Sequence, residues 1–252
     1  MTDRAALVSA GAPRFAIVVP AHNEGPTIEA VLRDYTTEVA AKLGSEILVC
    51  EDGSTDNTRD VLARLSGELP LRVVTSEARL GYGGGVKRGL LLADGDILFF
   101  SDSDGQYDPR DFWHLRERMD GADMVIGVKT QRQEAPHRIV LSKGFHLLVK
   151  LLFGIRLRDI DCGFRLIRKE ILEDVLREVH DLPYSFWAEL TIVASLKGIR
   201  IAEVPVSHHS RLYGNTTIYQ PRRLPGILLL QMRGLLRLRR RRRSLLAHPR
   251  RT

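Results

Sequence analysis

Three short acidic segments stand where this chain could do chemistry: Pro20-Ala21-His22-Asn23-Glu24, Glu51-Asp52-Gly53-Ser54-Thr55-Asp56 and Asp102-Ser103-Asp104. In the first two, carboxylates and amides directly follow an apolar run. Such groups can accept hydrogen bonds from a base edge or from ribose hydroxyls. An Asx turn that only caps the next helix is the competing reading, and it suits Asp56. The third segment follows Asp96-Ile97-Leu98-Phe99-Phe100-Ser101 and runs on through Gly105-Gln106-Tyr107-Asp108-Pro109. Hard cations want carboxylate oxygens and leave room for substrate phosphates. Alternate positions in an extended segment let one carboxylate coordinate a metal while the other orients it or a sugar. Asp102 and Asp104 are therefore candidate ligands of Mg²⁺ or Mn²⁺. A fourth segment, Arg79-Leu80-Gly81-Tyr82-Gly83-Gly84-Gly85-Val86-Lys87, is a glycine-rich entry to a helix. It could admit a diphosphate against the backbone, with Arg79 or Lys87 beside it. It lacks the Gly-Lys-Ser/Thr ending of a Walker A loop, and tight helix–sheet packing also explains such glycines.

The elements that must carry these segments are legible as short apolar runs: Phe15 to Pro20, Ile47 to Cys50, Leu71 to Thr75, Ile97 to Phe100 and Met124 to Val128. Continuous apolar strands suit a parallel sheet covered on both faces. Between them lie helical patterns. Over 26–42 the apolar positions Ile28, Val31, Leu32, Tyr35 and Val39 recur at three- and four-residue spacing, with Pro26 at the start and Gly44 as a stop. Asp56 suits the N-cap of the helix through Val61, Leu62 and Leu65. The alternation predicts an α/β fold, a doubly wound sheet whose ligands bind beyond the carboxyl ends of the strands. After about residue 130 the pattern is mostly helical, with one more strand near 199–206.

The 252 residues allow one large α/β domain. The formal charge of +7 is unevenly spread. Residues 233–252 hold nine arginines and no acid; removing those nine from 38 basic residues leaves 29 against 31 acids, a body of charge −2. Such a tail seeks polyanions. Ile227, Leu228, Leu230, Leu235, Leu236 and Leu238 give the same stretch an apolar face, as in an interfacial helix with a polybasic anchor. A helix packed on the domain's own core is the competing reading. Nucleic acid is not expected as a partner, because no aromatic residues are interleaved with the arginines. The two cysteines, Cys50 and Cys162, form no disulfide framework and suit a reducing, cytoplasmic compartment. No signal peptide and no run of about 18 apolar residues is seen, so a peripheral position on the inner face of a membrane is expected.

Together the segments at 18–24, 51–58, 79–89 and 102–109 resemble glycosyltransferase family 2, the inverting GT-A group, over roughly residues 14–215. The resemblance implies a GT-A, Rossmann-like, mostly parallel sheet with helices on both faces and here a helical C-terminal extension. It implies a nucleotide-diphosphate sugar donor, of the GDP-mannose or UDP-glucose type, and Mg²⁺ or Mn²⁺. The donor would be held by Pro20, Ala21, Asn23, Glu24, Asp52, Ser54, Arg79, Gly81, Lys87, Asp102 and Ser103. The metal set would be Asp102, Asp104 and Gln106. The division expected is a flexible 1–13, a catalytic domain over 14–215, and an amphipathic helix with polybasic tail over 216–252.

The second half narrows the resemblance. Asp159-Ile160-Asp161-Cys162-Gly163-Phe164-Arg165, then Glu203-Val204-Pro205-Val206 and Arg211-Leu212-Tyr213-Gly214-Asn215-Thr216, resemble the signatures of polyprenyl- and dolichyl-phosphate sugar synthases. In that subfamily basic residues hold the lipid phosphate. By position the phosphate-holding residues are Lys129 and Arg138 with the hydroxyl of Ser142, and Arg165 and Arg211 are further catalytic cations. Many relatives that glycosylate a hydroxyl use a carboxylate base from a Glu-Asp pair, whereas the comparable stretch here reads Phe186-Trp187-Ala188-Glu189-Leu190. A phosphate monoester has a second pKa of about 6 and needs no such base. The expected acceptor is therefore polyprenyl phosphate at a membrane surface. The alternatives are a hydroxyl acceptor with the same donor, and a non-catalytic nucleotide-sugar or phospholipid binding protein. A small membrane subunit is a further partner to be considered.

Overall fold

The computed structural model describes residues 13–130, 136–210 and 224–247, with the side chains of 136–138 left aside. Seven strands form one sheet in the order β3-β2-β1-β4-β6-β5-β7. They are β1 Phe15–Ala21, β2 Ile47–Asp52, β3 Leu71–Ser76, β4 Ile97–Phe100, β5 Met124–Thr130, β6 Arg165–Arg168 and β7 Ile201–Ser207. All pairings are parallel except those of β6, which runs antiparallel between β4 and β5. Central β2 and β4 are buried throughout and edge strands β3 and β7 are half-covered. This is the α/β, GT-A-like architecture expected, with the continuous apolar strands at its centre.

Helix α1 (Ile28–Tyr35) continues through a π-helical turn into α2 (Ala41–Leu43), ending before Gly44. Ile28, Val31, Leu32, Tyr35 and Val39 are its buried face, as the periodicity requires. Helix α3 (Thr58–Leu65) has Asn57, not the expected Asp56, at its N-cap; Asp56 stands one residue earlier and its Oδ1 accepts from the Thr58 N–H at 3.0 Å. Then come α4 (Tyr82–Leu92), α5 (Phe112–Arg118), α6 (Pro136–Phe153), α7 (Lys169–Arg177), α8 (Phe186–Leu196) and α9 (Leu224–Ala247).

Strand β6 corrects the reading of the second half as helical with a single further strand. Its four residues, Arg-Leu-Ile-Arg, carry charge at both ends and so mimic a surface turn. Arg165 is nonetheless fully buried, and its neighbours Leu166 and Ile167 are core.

On α9 the apolar residues divide between a buried set, as a helix packed on the domain's own core requires, and an exposed set. Leu235, Leu238 and Leu245 are buried, and at Gly234 the helix crosses a loop so closely that a Cβ would meet the Asp181 carbonyl oxygen at 2.3 Å. Leu228, Leu229, Leu230, Met232 and Leu236 remain exposed. The arginines divide likewise. Arg237 and Arg241 pair with Asp181, Arg241 also pairs with Glu178, and Arg239 donates to the Leu152 carbonyl at 2.8 Å.

Candidate active site

The carboxyl ends of β1, β2, β4 and β5 form one rim. Strand order reverses between β1 and β4, the place where open α/β sheets leave a crevice. The ends of β1 and β2 are tied to each other. Asn23 takes a left-handed backbone (φ 55°), its N–H donating to Ser54 Oγ at 3.0 Å and its Oδ1 accepting from the Thr55 N–H at 2.8 Å. The His22 ring donates through Nδ1 to the Asp52 carbonyl at 2.8 Å, and the Glu24 N–H donates to Thr58 Oγ1 at 2.9 Å. Pro20 and Ala21 contribute backbone as part of β1. Burial opposes charge on Glu51. Hydrogen bonds from Ser54 and a 2.8 Å bond from Arg59 more than offset it and hold the carboxyl below its usual pKa.

Asp52 is buried and accepts from the Leu80 N–H at 2.7 Å, which draws the glycine-rich segment over the end of β2. Gly53 permits this: its φ is +66°, and a Cβ there would meet the Arg79 backbone N at 3.1 Å. Arg79 stays exposed on the rim, and Gly81 precedes the first turn of α4. Lys87 departs from the diphosphate role expected of it. It lies one turn into the helix, and its Nζ donates to the Leu176 carbonyl near the end of α7 at 2.8 Å.

The acidic turn leaves β4 between Ser101 and Gln106. Ser101 is anchored from behind by Tyr35, hydroxyl to hydroxyl at 2.5 Å. Ser103 is buried, and Asp104 Oδ1 accepts from the Gln106 N–H at 3.2 Å. The Gln106 side-chain N–H donates to the His209 carbonyl at 2.9 Å, leaving its amide oxygen as the atom able to ligate a cation. Asp102 is held on both sides. Tyr82 Oη donates to Oδ1 at 2.7 Å, and Gly163 lies against Oδ2. Desolvation first, then the Asp104 charge, push the Asp102 carboxyl up to about 7. Two carboxylates crowded together in this way fit a divalent cation. Among the described residues no three His, Cys, Asp or Glu side chains are gathered to hold a metal. Two carboxylates plus substrate phosphates are what Mg²⁺ ordinarily takes, so the residues fit a cation that arrives with a diphosphate.

The loop 159–165 floors the other side. Asp159 is buried, with Lys129 Nζ at 3.7 Å, so this lysine of the expected acceptor set is paired with a buried carboxylate. Asp161 reaches solvent, yet its Oδ1 accepts from the Ala188 N–H at 3.2 Å in the first turn of α8. Desolvation, then the Asp159 charge, raise its pKa against the pull of Lys129. Ser142 lies on α6, where its carbonyl accepts from His146 Nδ1 at 2.9 Å. The Ile160 N–H donates to Nε2 of the same ring at 3.1 Å, joining α6 to this loop. Arg138 lies in α6, its side chain outside the described residues; Arg211 lies outside them altogether.

Arg165 corrects its expected role. It is fully buried, donates from Nε to the Cys162 carbonyl at 2.9 Å and from Nη1 to Thr191 at 3.2 Å, and stacks 4.1 Å from the Trp187 ring centre. A guanidinium so enclosed supports the cleft from below and does not reach an acceptor. Glu189 is likewise spent: it is buried and accepts the N–H groups of His180, Asp181 and Leu182 at 2.8, 2.6 and 2.7 Å. Sequence reasoning quoted Tyr82, Asp161 and Gly163 within their segments but gave none of them a role of its own. The available signals were an aromatic residue amid glycines, and a second Asp-x-Asp directly before Cys162-Gly163.

A model of glycosyl transferase family 2 matches residues 16–176. The glycosyltransferase AglD of Haloferax volcanii is 30% identical over 89% of this chain and 37% of its own. The dolichyl-phosphate beta-glucosyltransferase of Saccharomyces cerevisiae is 30% identical over 77% and 66%. An undecaprenyl-phosphate 4-deoxy-4-formamido-L-arabinose transferase of Salmonella paratyphi B is 28% identical over 81% and 62%. The chain thus spans less than two thirds of each of these relatives. Glucosyl-3-phosphoglycerate synthase of Mycobacterium tuberculosis shares the fold. Its UDP complex superimposes with a TM-score of 0.66 at 22% identity, covering 94% of this chain and 82% of that one. Its complex with Mn²⁺, UDP and glucosyl-3-phosphoglycerate gives 0.64 at 21%.

Proposed function

This chain belongs to glycosyl transferase family 2, and on that premise we propose that it transfers a hexose, with inversion, from a nucleotide-diphosphate sugar to a polyprenyl phosphate at a membrane surface. The rim of Asp52, Asn23–Ser54 and Arg79 takes the nucleoside and its diphosphate. Asp102, Asp104 and Gln106 would hold Mg²⁺ or Mn²⁺, which neutralises charge developing on the leaving diphosphate. Lys129, with Arg138, Ser142 and Arg211 as sequence-based partners, positions the acceptor phosphate.

The observation that carries the acceptor class is Glu189. At the place where a hydroxyl acceptor calls for a free carboxylate base, the chain has an acid already saturated by three backbone donors. A phosphate dianion attacks without one. Similarity to the dolichyl- and undecaprenyl-phosphate enzymes supports the same acceptor.

A hydroxyl acceptor remains a second reading because of Asp161, a solvent-reaching carboxylate of raised pKa whose charge is felt at Asp102 and Tyr82. Transfer rates of Asp161→Asn separate the two. Retained transfer to polyprenyl phosphate supports the phosphate acceptor. Loss by a factor of a hundred or more, with intact donor binding, makes Asp161 a base.

Membrane docking is supported by α6 and α9, neither of which contains an acid. Val140, Leu147 and Leu151 on α6 and Leu228, Leu229 and Leu236 on α9 are exposed. Lys143, Lys150, Arg233, Arg240 and Arg243 are exposed among them. Apolar and cationic groups mixed in this way suit an anionic lipid interface. No helix among the described residues is long and apolar enough to cross a membrane. A peripheral place on the cytoplasmic face, with or without a small membrane subunit, is part of this proposal.

A further inference from the structure

The first residue of α4 and the second of α8 meet over the acidic turn. Tyr82 Oη accepts from Trp187 Nε1–H at 2.8 Å and donates to Asp102 Oδ1 at 2.7 Å. The Tyr82 residue is about half exposed (47%), while Trp187 is buried. Trp187 is itself fixed by its neighbours. Arg165 stacks on one side at 4.1 Å, and the Phe100 ring, at the end of the strand that delivers Asp102, lies 4.5 Å away centre to centre. Gly83, in the first turn of α4, lies against the Phe186 side chain, the residue that begins α8.

We propose that Tyr82 is a positioning residue that fixes the Asp102 carboxylate for a divalent cation, and that Trp187 acts on the cation only through the Tyr82 hydroxyl. The inference rests on the metal reading of the acidic turn. With a buried indole N–H as its donor, the tyrosine oxygen has one proton left to give, and Asp102 is its acceptor. Asp102 is thereby restricted to one orientation: Oδ1 is tethered and Oδ2 is stopped by Gly163. A carboxylate fixed beforehand loses less freedom on ligation, and residues that orient metal ligands are commonly worth ten- to a hundredfold in metal affinity. The half-exposed ring makes the hydroxyl removable with little loss of packing.

The test is Mn²⁺ binding, followed by the electron paramagnetic resonance signal of the free ion, in the full chain and in Tyr82→Phe. Affinity is expected to fall roughly ten- to a hundredfold in Tyr82→Phe, with an unchanged melting temperature. Adding Trp187→Phe to that variant is expected to weaken Mn²⁺ no further, although the indole change alone weakens it. Equal affinity in parent and Tyr82→Phe overturns the proposal. So does tighter binding in the variant, which would make the hydroxyl an occupant of the cation's own place. A further loss of tenfold or more in the double variant overturns the role given to Trp187. Should the parent bind no Mn²⁺ either alone or with UDP or GDP added, the metal reading falls and this inference with it, an outcome distinct from equal affinities.

Discussion

The carboxylate of Asp102 rests on the backbone of Gly163, sixty-one residues later in the chain. A Cβ at residue 163 would stand 2.1 Å from Oδ2 and 2.9 Å from Cγ. Those atoms cannot coexist, so the glycine of the Asp-x-Asp-Cys-Gly-Phe-Arg turn shapes the acidic site directly. Gly163→Ala is expected to displace Asp102 and weaken Mn²⁺ tenfold or more, with a stability loss of only about 1–2 kcal/mol because the carboxylate can swing toward the cleft. Parallel Mn²⁺ titrations and melting curves check this. An alanine variant that binds the ion like the parent would show that the contact is incidental.

The Asp102 carboxyl titrates near 7 when folded, well above an unfolded aspartate. Over the interval between those values the folded chain holds a proton that the unfolded chain has lost. The stability this group contributes is therefore full below the unfolded value and lost as pH rises through about 7. Metal-free protein is expected to melt higher at pH 6 than at pH 8, and Asp102→Asn to flatten that difference. Mn²⁺ should bind more tightly at pH 8, where no proton competes. Measurements below about pH 5 report other groups: Glu51 and Asp56, held below their usual values, lose stability as pH falls. Calorimetry across the window, with and without Mn²⁺, tests both signs.

Much of this site is legible in the sequence because strand ends are. An apolar run followed by Glu-Asp or Asp-Ser-Asp places its acids at the rim whatever the side chains then do, and Asp52, Asp102 and Asp104 stand there. Long side chains are another matter. Lys87 and Arg165 carry the charge a phosphate needs, but helix phase sends Lys87 to the end of α7, and strand β6 buries Arg165 under Trp187. Neither phase nor burial follows from residue type. Tyr82 and Gly163 were hidden for a related reason: each acts across the fold on a residue remote in sequence, and no local pattern encodes that meeting.

Glu189 gives a stability prediction. Glu189→Ala strands three backbone N–H groups, those of Asp181 and Leu182 buried, and should cost about 3 kcal/mol, a fall of roughly 6–12 °C in melting temperature. A variant that melts like the parent but loses transfer would instead identify Glu189 as a chemical participant.

The arginines of α9 should separate into two sets. Replacing Arg233, Arg240 and Arg243 with glutamine is expected to weaken sedimentation with anionic vesicles by about 1 kcal/mol each and to reduce its salt dependence. Melting should be unchanged. Replacing Arg237 and Arg241, which pair with Asp181, should lower the melting temperature instead. Truncation after residue 238 would confound the two effects, since it also removes Leu245 from the core.

Sugar transfer to a lipid phosphate is tested most directly by product. Purified protein is incubated with labelled nucleotide sugars, anionic vesicles containing polyprenyl phosphate, and Mg²⁺ or Mn²⁺, and the lipid is then extracted. Label is expected in the lipid fraction with at least one donor, only with divalent metal, and not with Asp104→Asn. Label confined to water-soluble products, or lipid labelled equally well in excess chelator, would contradict it.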